Sequence, residues 1–328
     1  MARILVTGAR GFIGRALCSV LTARGHRVIP VLHATPSYPT ERFRSPRHLA
    51  RMPTPGELAA DLPLIGEIGP ETDWSGLLDG IEIIVHLAQR AHQRTTESTL
   101  AGEPESAAAL ARGAAQQGVR RMVYISSIKA MGEATPPGRA FRADDPPRPE
   151  DAYGRAKLAS ERALAAVAEE TGLELVILRP PLVYGPGVAG NFRALVRLAG
   201  SGLPLPFAGL DNRRSLIFRD NLVDLVAAAA LHPAAAGRVL LAGEGAGLST
   251  PELIRILAQG QGRRARLFPL PAPVFAALRR LPGLGPVACR LSLSLQVDDA
   301  ATRALLGWAP PFATKEALLA TAHAVAAR

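Results

Sequence analysis

The first fourteen residues constrain this chain more than any others. Arg3-Ile4-Leu5-Val6 is a short apolar run, and Thr7-Gly8-Ala9-Arg10-Gly11-Phe12-Ile13-Gly14 follows it at once. An apolar run that ends in turn residues reads as a strand buried on both faces. Residues 12–24 then carry helical periodicity and stop at Gly25. Strand, glycine turn and helix in that order form a cradle for phosphate. The glycines allow a tight turn, close approach of the backbone to a pyrophosphate, and close packing of helix on strand. The helix start adds unsatisfied N–H groups and the positive end of the helix dipole. Gly8, Arg10, Gly11, Phe12, Ile13 and Gly14 are therefore the expected contacts of a dinucleotide.

The alternation continues down the chain. Residues 27–32, 81–87, 121–126 and 174–178 read as further strands, with helical segments between most of them. That rhythm implies an α/β fold, a doubly wound parallel sheet covered on both faces. Residues 34–63 are rich in Pro, Arg, Ser and Thr, and read as a long loop or inserted segment. Past Pro180, Pro and Gly punctuate shorter segments. Helix starts there, such as Ser249-Thr250-Pro251-Glu252, combine a cap with proline in the first turn. The expected organisation is a dinucleotide-binding domain over residues 1–180 and a smaller mixed C-terminal substrate lobe, mainly residues 181–328, with some interleaving.

Composition excludes several function classes. The 328 residues are 48% apolar and 20% charged, so a sizeable core is expected and disorder is not. The net charge of +10 comes with only three lysines, Lys129, Lys157 and Lys315, against a great excess of arginine. It reads as a drift across the whole chain. No dense basic run with interleaved aromatics marks a nucleic-acid surface. Cys18, Cys289 and the scattered histidines sit in no ligand pattern, so no metal site is expected. No signal core and no apolar stretch of membrane-spanning length is present. Residues 271–295 are apolar, but Arg279, Arg280, Pro282 and Arg290 interrupt them. They read as packed against their domain, with contact at a membrane surface left open. The expectation is a cytoplasmic protein without membrane insertion.

The end of the second strand selects the cofactor. An acid there holds the ribose 2′-hydroxyl of NAD. Val31-Leu32-His33-Ala34 supplies none, while His33 and Arg10 lie in the same framework. An arginine fork suits a 2′-phosphate. NADP(H) is the expected cofactor, with NAD(H) kept open. Glu67, next to Ile68, is a candidate acceptor for the adenine amino group; a solvated turn acid is an equal reading.

Val123-Tyr124-Ile125-Ser126-Ser127 ends a strand at the carboxyl edge of the sheet, where open parallel sheets bind ligands. Tyr153 and Lys157 lie four apart, so on a helix they share one face. The ammonium lowers the phenol pKa from about 10. Such a tyrosine takes a proton from an alcohol or returns it. Ser127 adds a third contact to the same oxygen, although a strand-end serine by itself is more often a cap.

These features resemble the extended short-chain dehydrogenase/reductases across essentially the whole chain. The resemblance is carried by the glycine turn, Ser127, Tyr153-x-x-x-Lys157, Arg179-Pro180, Val183-Tyr184-Gly185-Pro186-Gly187 and Leu306-Gly307-Trp308-Ala309-Pro310. It implies a Rossmann domain with a small C-terminal lobe and, commonly, a homodimer. It also implies Ser127 hydrogen-bonding the reacting oxygen, Tyr153 as acid/base, and Lys157 on the nicotinamide ribose. Leu87, Ala88 and Pro180 join the implied cofactor contacts.

Nucleotide-sugar 4,6-dehydratases of that family carry an Asp-Glu pair directly after the strand-end Ser/Thr. Ile128 and Lys129 stand there instead, which disfavours elimination. A narrower resemblance lies in Ser126 to Glu133, in His86-Leu87-Ala88 with His92, and in Gly190-Asn191-Phe192 with Asn212-Arg213-Arg214-Ser215-Leu216. It is similar to UDP-glucose 4-epimerase-like proteins and to the 4-reductases that make UDP-N-acetylquinovosamine. It implies a UDP-sugar substrate touching Ser127, Lys129, Asn191, Arg214 and Arg290. The leading expectation is a 4-keto reductase of a UDP-linked 4-keto-6-deoxy hexose. A UDP-hexose 4-epimerase, or a non-catalytic nucleotide sensor on the same fold, stays open. Glu103 and Gln89 depart from the residues usual in the family.

Overall fold

The structure is a computed structural model that describes residues 1–33, 64–65, 68–88, 100–283 and 285–327. Residues 34–63, Glu67, Gln89 and His92 lie outside the described residues. Six strands form the central sheet: β1 (Arg3–Thr7), β2 (Arg27–Pro30), β3 (Ile83–His86), β4 (Arg121–Ile125), β5 (Glu174–Arg179) and β6 (Val239–Leu241). Their order across the sheet is β6-β5-β4-β3-β1-β2. The ladders β1–β2, β1–β3 and β3–β4 are parallel. β2 lies on one side of β1 and β3 on the other, so the strand order reverses at β1. A ligand of an open parallel sheet binds outside the carboxyl ends at such a point. β3 and β4 are buried at every residue, as expected of strands covered on both faces.

Two boundaries differ from the sequence expectation. The second strand stops at Pro30, and Leu32–His33 pair separately with Leu64–Ile65. Pro30 still pairs with Val6, and the Val31 N–H donates to the Val6 carbonyl at 2.8 Å where the strand ends. The first helix, α1 (Gly14–Ala23), starts two residues late. The preceding residues are spent on the glycine turn, which the Gly11 N–H closes onto the Gly8 carbonyl at 2.9 Å. Two further helices carry candidate residues: α2 (Glu103–Gln116) and α3 (Ala152–Thr171). Pro104 and the acids Glu103 and Glu105 suit the first turn of α2.

The chain divides into two compact units. One comprises Met1–Ile125, Ala156–Ile177 and Val226–Arg238. The other comprises Ser126–Arg155, Leu178–Leu225 and Val239–Arg328. The core of the first is apolar strand and helix: Ile4, Leu5, Leu17, Leu21, Ile83, Ile84 and Leu110 have no exposure. Charged residues lie among them too: Arg121, Lys157 and Glu161. Arg121 on β4 is buried, and its Nε donates to Glu174 Oε2 at 2.7 Å. Its Nη1 reaches the carbonyls of Ala229, Ala230 and His232 at 3.2, 3.0 and 2.8 Å. The Ala229 and Ala230 carbonyls lie in the last turn of the helix Arg219–Leu231; that of His232 follows it and also accepts the Ala235 N–H at 3.2 Å.

In the second unit, two motifs that carried the family resemblance turn out to hold packing. The Tyr184 hydroxyl meets Glu244 Oε2 at 3.1 Å and the Thr314 carbonyl at 3.3 Å. Burial, then the Glu244 charge, pushes that phenol far up. Trp308 Nε1 donates to Asp224 at 2.8 Å, and Gly307 turns the chain with φ of 56° after the helix Ala300–Leu306. No helix among the described residues is long and apolar enough to cross a membrane.

Arg121→Ala should destabilise the protein by about 3 kcal/mol, because it strands the Ala229 and Ala230 carbonyls and leaves Glu174 to the exposed Arg120 alone. Denaturant unfolding measures it. A loss below about 1 kcal/mol would show that the guanidinium merely fills space.

Candidate active site

The glycine turn is as tight as its sequence demands. Gly8 has a φ of 68°, and a Cβ there would lie 2.8 Å from the Ala88 nitrogen. A Cβ on Gly14 would run into the Gly8 carbonyl and sit 2.8 Å from Ala9 Cα. The Thr7 hydroxyl binds the N–H groups of Leu87 and Ala88 at 3.2 Å each and His86 Nδ1 at 2.8 Å. Gly8, Leu87 and Ala88 thus gather at the carboxyl ends of β1 and β3. The first turn of α1 has neither a capping side chain nor an acid. The positive end of its dipole therefore favours an anion, and a dinucleotide pyrophosphate suits it. Arg10 and Gly11 are exposed beside this turn, and Phe12 and Ile13 are half-buried. Of His33 only the backbone pairing is described, and Ile68 lies in no regular element.

Lys157 is the most confined charge of the set. It has no exposure, and its Nζ donates to the Tyr124 hydroxyl at 3.0 Å. The same Nζ lies 4.9 Å from the Tyr124 ring centre, and that ring stacks on His86 at 5.8 Å. Glu103 Oε2 stands 3.9 Å away. This oxygen is buried and has no hydrogen-bond partner among the described residues. Burial pulls the Lys157 ammonium down to about 7, while Glu103 and then Glu161 push it back up. A lysine so placed changes charge near neutrality.

In the other unit, Ser127 ends β4 in extended backbone and caps the single turn Ile128–Ala130, accepting the Lys129 N–H at 3.2 Å. The capping use of a strand-end serine is therefore real, and it leaves the Ser127 O–H free to donate elsewhere. The Ile128 N–H binds the Pro180 carbonyl at 2.9 Å, which sets Pro180 beside the serine turn.

Lys129 is gripped by two carboxylates, Asp151 Oδ2 at 2.5 Å and Glu133 Oε1 at 2.7 Å. Burial lowers its pKa, but hydrogen bonds from Asp151 and Glu133 outweigh that and hold it above its usual value. Asp151 Oδ1 also accepts the Gly154 N–H at 2.7 Å, capping α3. A Cβ on Gly154 would collide with the Lys129 carbonyl, so the serine turn and the start of α3 touch. Tyr153, half-buried, is next to that contact, with Lys157 one turn further along α3. Asp151 was missed in the sequence. Its signal was an acid immediately before a helix, three residues ahead of a glycine.

Arg214 is mostly buried, donates to the Leu293 carbonyl at 3.1 Å, and bridges by its backbone to Leu248 and Leu295. Burial holds its pKa below the usual value, Glu133 raises it, and Arg290 lowers it again. The structure thus brings Arg214, Arg290 and Glu133 into one electrostatic neighbourhood. Asn191 lies exposed in the first turn of the helix Gly190–Ala199, and no described contact joins it to the arginines. A groove of about 550 Å³ in the same unit is lined by Arg139, Arg142, Ser215, Gln296 and Asp298 among others, and by none of the candidate residues.

Glu103→Gln should remove the charge that keeps Lys157 protonated. The Lys157 pKa then falls further below about 7, and the alkaline limb of kcat/KM moves to lower pH by roughly one pH unit. Glu103→Asp should restore most of the profile. A pH profile unchanged in Glu103→Gln would exclude Glu103 from the charge balance.

Residues 4–243 match the model of the NAD dependent epimerase/dehydratase family. The chain is 36% identical to a UDP-glucose 4-epimerase of Vibrio cholerae, over 98% of this chain and 94% of that protein. It is 27% identical to a dTDP-6-deoxy-L-talose 4-dehydrogenase (NAD(P)(+)) of Kitasatospora kifunensis, over 97% and 93%. Among solved structures, UDP-glucuronic acid 4-epimerase from Bacillus cereus in complex with NAD shares the fold at a TM-score of 0.74, with 22% identity and 98% of each chain covered. The glycine cradle, the parallel sheet and the length of these matches agree: this chain is an enzyme of the NAD dependent epimerase/dehydratase family, of the extended short-chain dehydrogenase/reductase type.

Proposed function

We propose that this enzyme interconverts an alcohol and a ketone at C4 of a UDP-linked hexose. One observation carries the reading. The serine turn lies against the helix start that bears Tyr153, and no free acid/base pair follows Ser127. Ile128 is buried, and Lys129 is an ammonium already paired with two carboxylates. An elimination needs one group to protonate the leaving hydroxyl and another to take a carbon-bound proton. These positions provide neither.

The remaining residues suit proton transfer at one oxygen. Tyr153 donates its proton to O4 as the ketone is reduced and takes it back as the alcohol is oxidised. The Lys157 ammonium, one helical turn away, stabilises the phenolate left behind. Ser127 donates its O–H to the same oxygen while its own oxygen stays bound to the Lys129 N–H. Gly8, Arg10, Gly11, Phe12, Ile13, Gly14, Leu87, Ala88 and Pro180 would hold the dinucleotide, which supplies the hydride acceptor or donor. Arg214 and Arg290 would meet the diphosphate of the sugar nucleotide. We favour NADP(H) over NAD(H), because Val31 to Ala34 offers no acid for a 2′-hydroxyl.

Two uses of this chemistry stay in play, each with its own support. Net reduction of a 4-keto-6-deoxy hexose suits the missing acid after β2, since a reductase exchanges its cofactor every turnover. A 4-epimerase, which oxidises C4 and reduces the opposite face, is supported by the Vibrio cholerae relative. We further propose a cytoplasmic homodimer.

One panel separates them. The purified enzyme is incubated with UDP-glucose, UDP-N-acetylglucosamine, and a UDP-4-keto-6-deoxy hexose, each with NADPH, with NADH, and without added cofactor. Reduction that consumes NADPH is the expected result. Epimer formation without added cofactor would displace the reductase by the epimerase, and a 4-keto-6-deoxy product from UDP-glucose would overturn both. Tyr153→Phe should lower kcat by at least about a hundredfold while leaving dinucleotide binding intact. Retained turnover would remove Tyr153 from its role.

A further inference from the structure

Residues 253–297 contain seven arginines and no lysine, aspartate or glutamate. The stretch therefore carries +7 with no acid to offset it. It forms the short strand Arg266–Leu267, then α4 (Ala272–Leu278) and α5 (Gly285–Ser292). The strand pairs with Pro204–Leu205, and Phe275 of α4 stacks on Phe207 at 6.4 Å. Strand rim and helix pair are thus one continuous surface of the second unit.

That surface is apolar as well as basic. Nine large apolar side chains are exposed among the described residues, and five of them lie here: Leu203, Phe268, Val274, Leu281 and Val287. Single exposed apolar residues need no explanation, but a cluster does. Arg263, Arg264, Arg266 and Arg280 are exposed among them, and none has an ion-pair partner among the described residues.

We propose that this face docks on the surface of an anionic lipid bilayer. A second copy of the chain would bring two arginine-rich faces together, so self-association is disfavoured by charge. A protein partner's anchor residues would want a pocket, and the two cavities described in this unit are lined by none of the five apolar side chains. A bilayer interface asks for no pocket. Its acyl boundary takes Leu281, Val274, Val287 and Phe268 at scattered positions, while its anionic headgroups meet the guanidinium groups between them. No part of the surface is long enough to insert across the membrane, so the contact is peripheral.

The test is co-sedimentation of the purified full chain with vesicles of phosphatidylcholine alone and of equimolar phosphatidylcholine and phosphatidylglycerol. The enzyme should bind the anionic vesicles and not the neutral ones, and added salt should weaken the binding. Arg264→Glu with Arg280→Glu should weaken it by at least roughly tenfold, since each basic residue near the surface is worth about fivefold. Leu281→Ser with Val287→Ser should weaken it several-fold while thermal unfolding and turnover on soluble sugar nucleotide stay unchanged. Absence of binding to anionic vesicles, equal binding to neutral ones, or indifference to the leucine and valine changes would each overturn the proposal. So would retention on immobilised polyglutamate stronger than on the vesicles, which would assign the face to an acidic protein. A concentration-dependent dimer broken by the same variants would assign it to a second copy.

Discussion

Burying an ammonium group costs several kcal/mol unless neighbours replace the water it loses. Lys157 has no exposure at all, and its neighbours include one phenol at 3.0 Å, the face of the same ring, and a carboxylate at 3.9 Å. A fully paired lysine would stay charged at any physiological pH and would be inert. A lysine with no carboxylate nearby would lose its proton altogether. The distance to Glu103 places Lys157 between these cases, with a pKa of about 7. Its charge is therefore available at neutrality, which suits its proposed stabilisation of a transient phenolate.

The same packing ties Lys157 to the dinucleotide cradle. The Thr7 hydroxyl has two lone pairs and one proton. The N–H groups of Leu87 and Ala88 use both lone pairs, so the proton goes to His86 Nδ1. That assigns His86 as the neutral imidazole protonated on Nε2. A cationic His86 would place a second positive charge behind Tyr124 and compete with Lys157 for the same ring. One threonine at the end of β1 thus sets the glycine loop against Leu87 and Ala88 and, through His86 and Tyr124, keeps the floor beneath Lys157 uncharged. The cradle and Lys157 are two ends of one buried chain of contacts within the first unit.

The sequence made legible what depends on neighbours in the chain. The glycine turn, the buried strands and the spacing of Tyr153 and Lys157 are local patterns, and the sheet carries them as read. Glu103 was flagged only as a departure from a family pattern, and its place beside Lys157 is a contact across 54 residues. Lys129 read as a substrate contact because it follows Ser127; nothing local announced that Asp151 would take its ammonium. Arg121 read as the first residue of a strand, yet its side chain ends a helix more than a hundred residues away. The proposed substrate contacts are the least legible, since Arg214 and Arg290 stand far apart in the sequence and share one electrostatic neighbourhood only in the fold.

Glu133 explains how those late contacts reach the reacting oxygen. It grips Lys129 at 2.7 Å and also raises the pKa of Arg214. Lys129 in turn sets the Ser127 turn through its own N–H and, through Asp151, the first turn of α3 on which Tyr153 lies. A carboxylate shared by two cations is pulled toward whichever is less satisfied. Anionic phosphate arriving at Arg214 and Arg290 would satisfy the arginines and release Glu133 wholly to Lys129. Filling the anion end of the site then tightens the clamp at its other end. On the proposed function, the Ser127 turn would gain its firmest support when a diphosphate is in place.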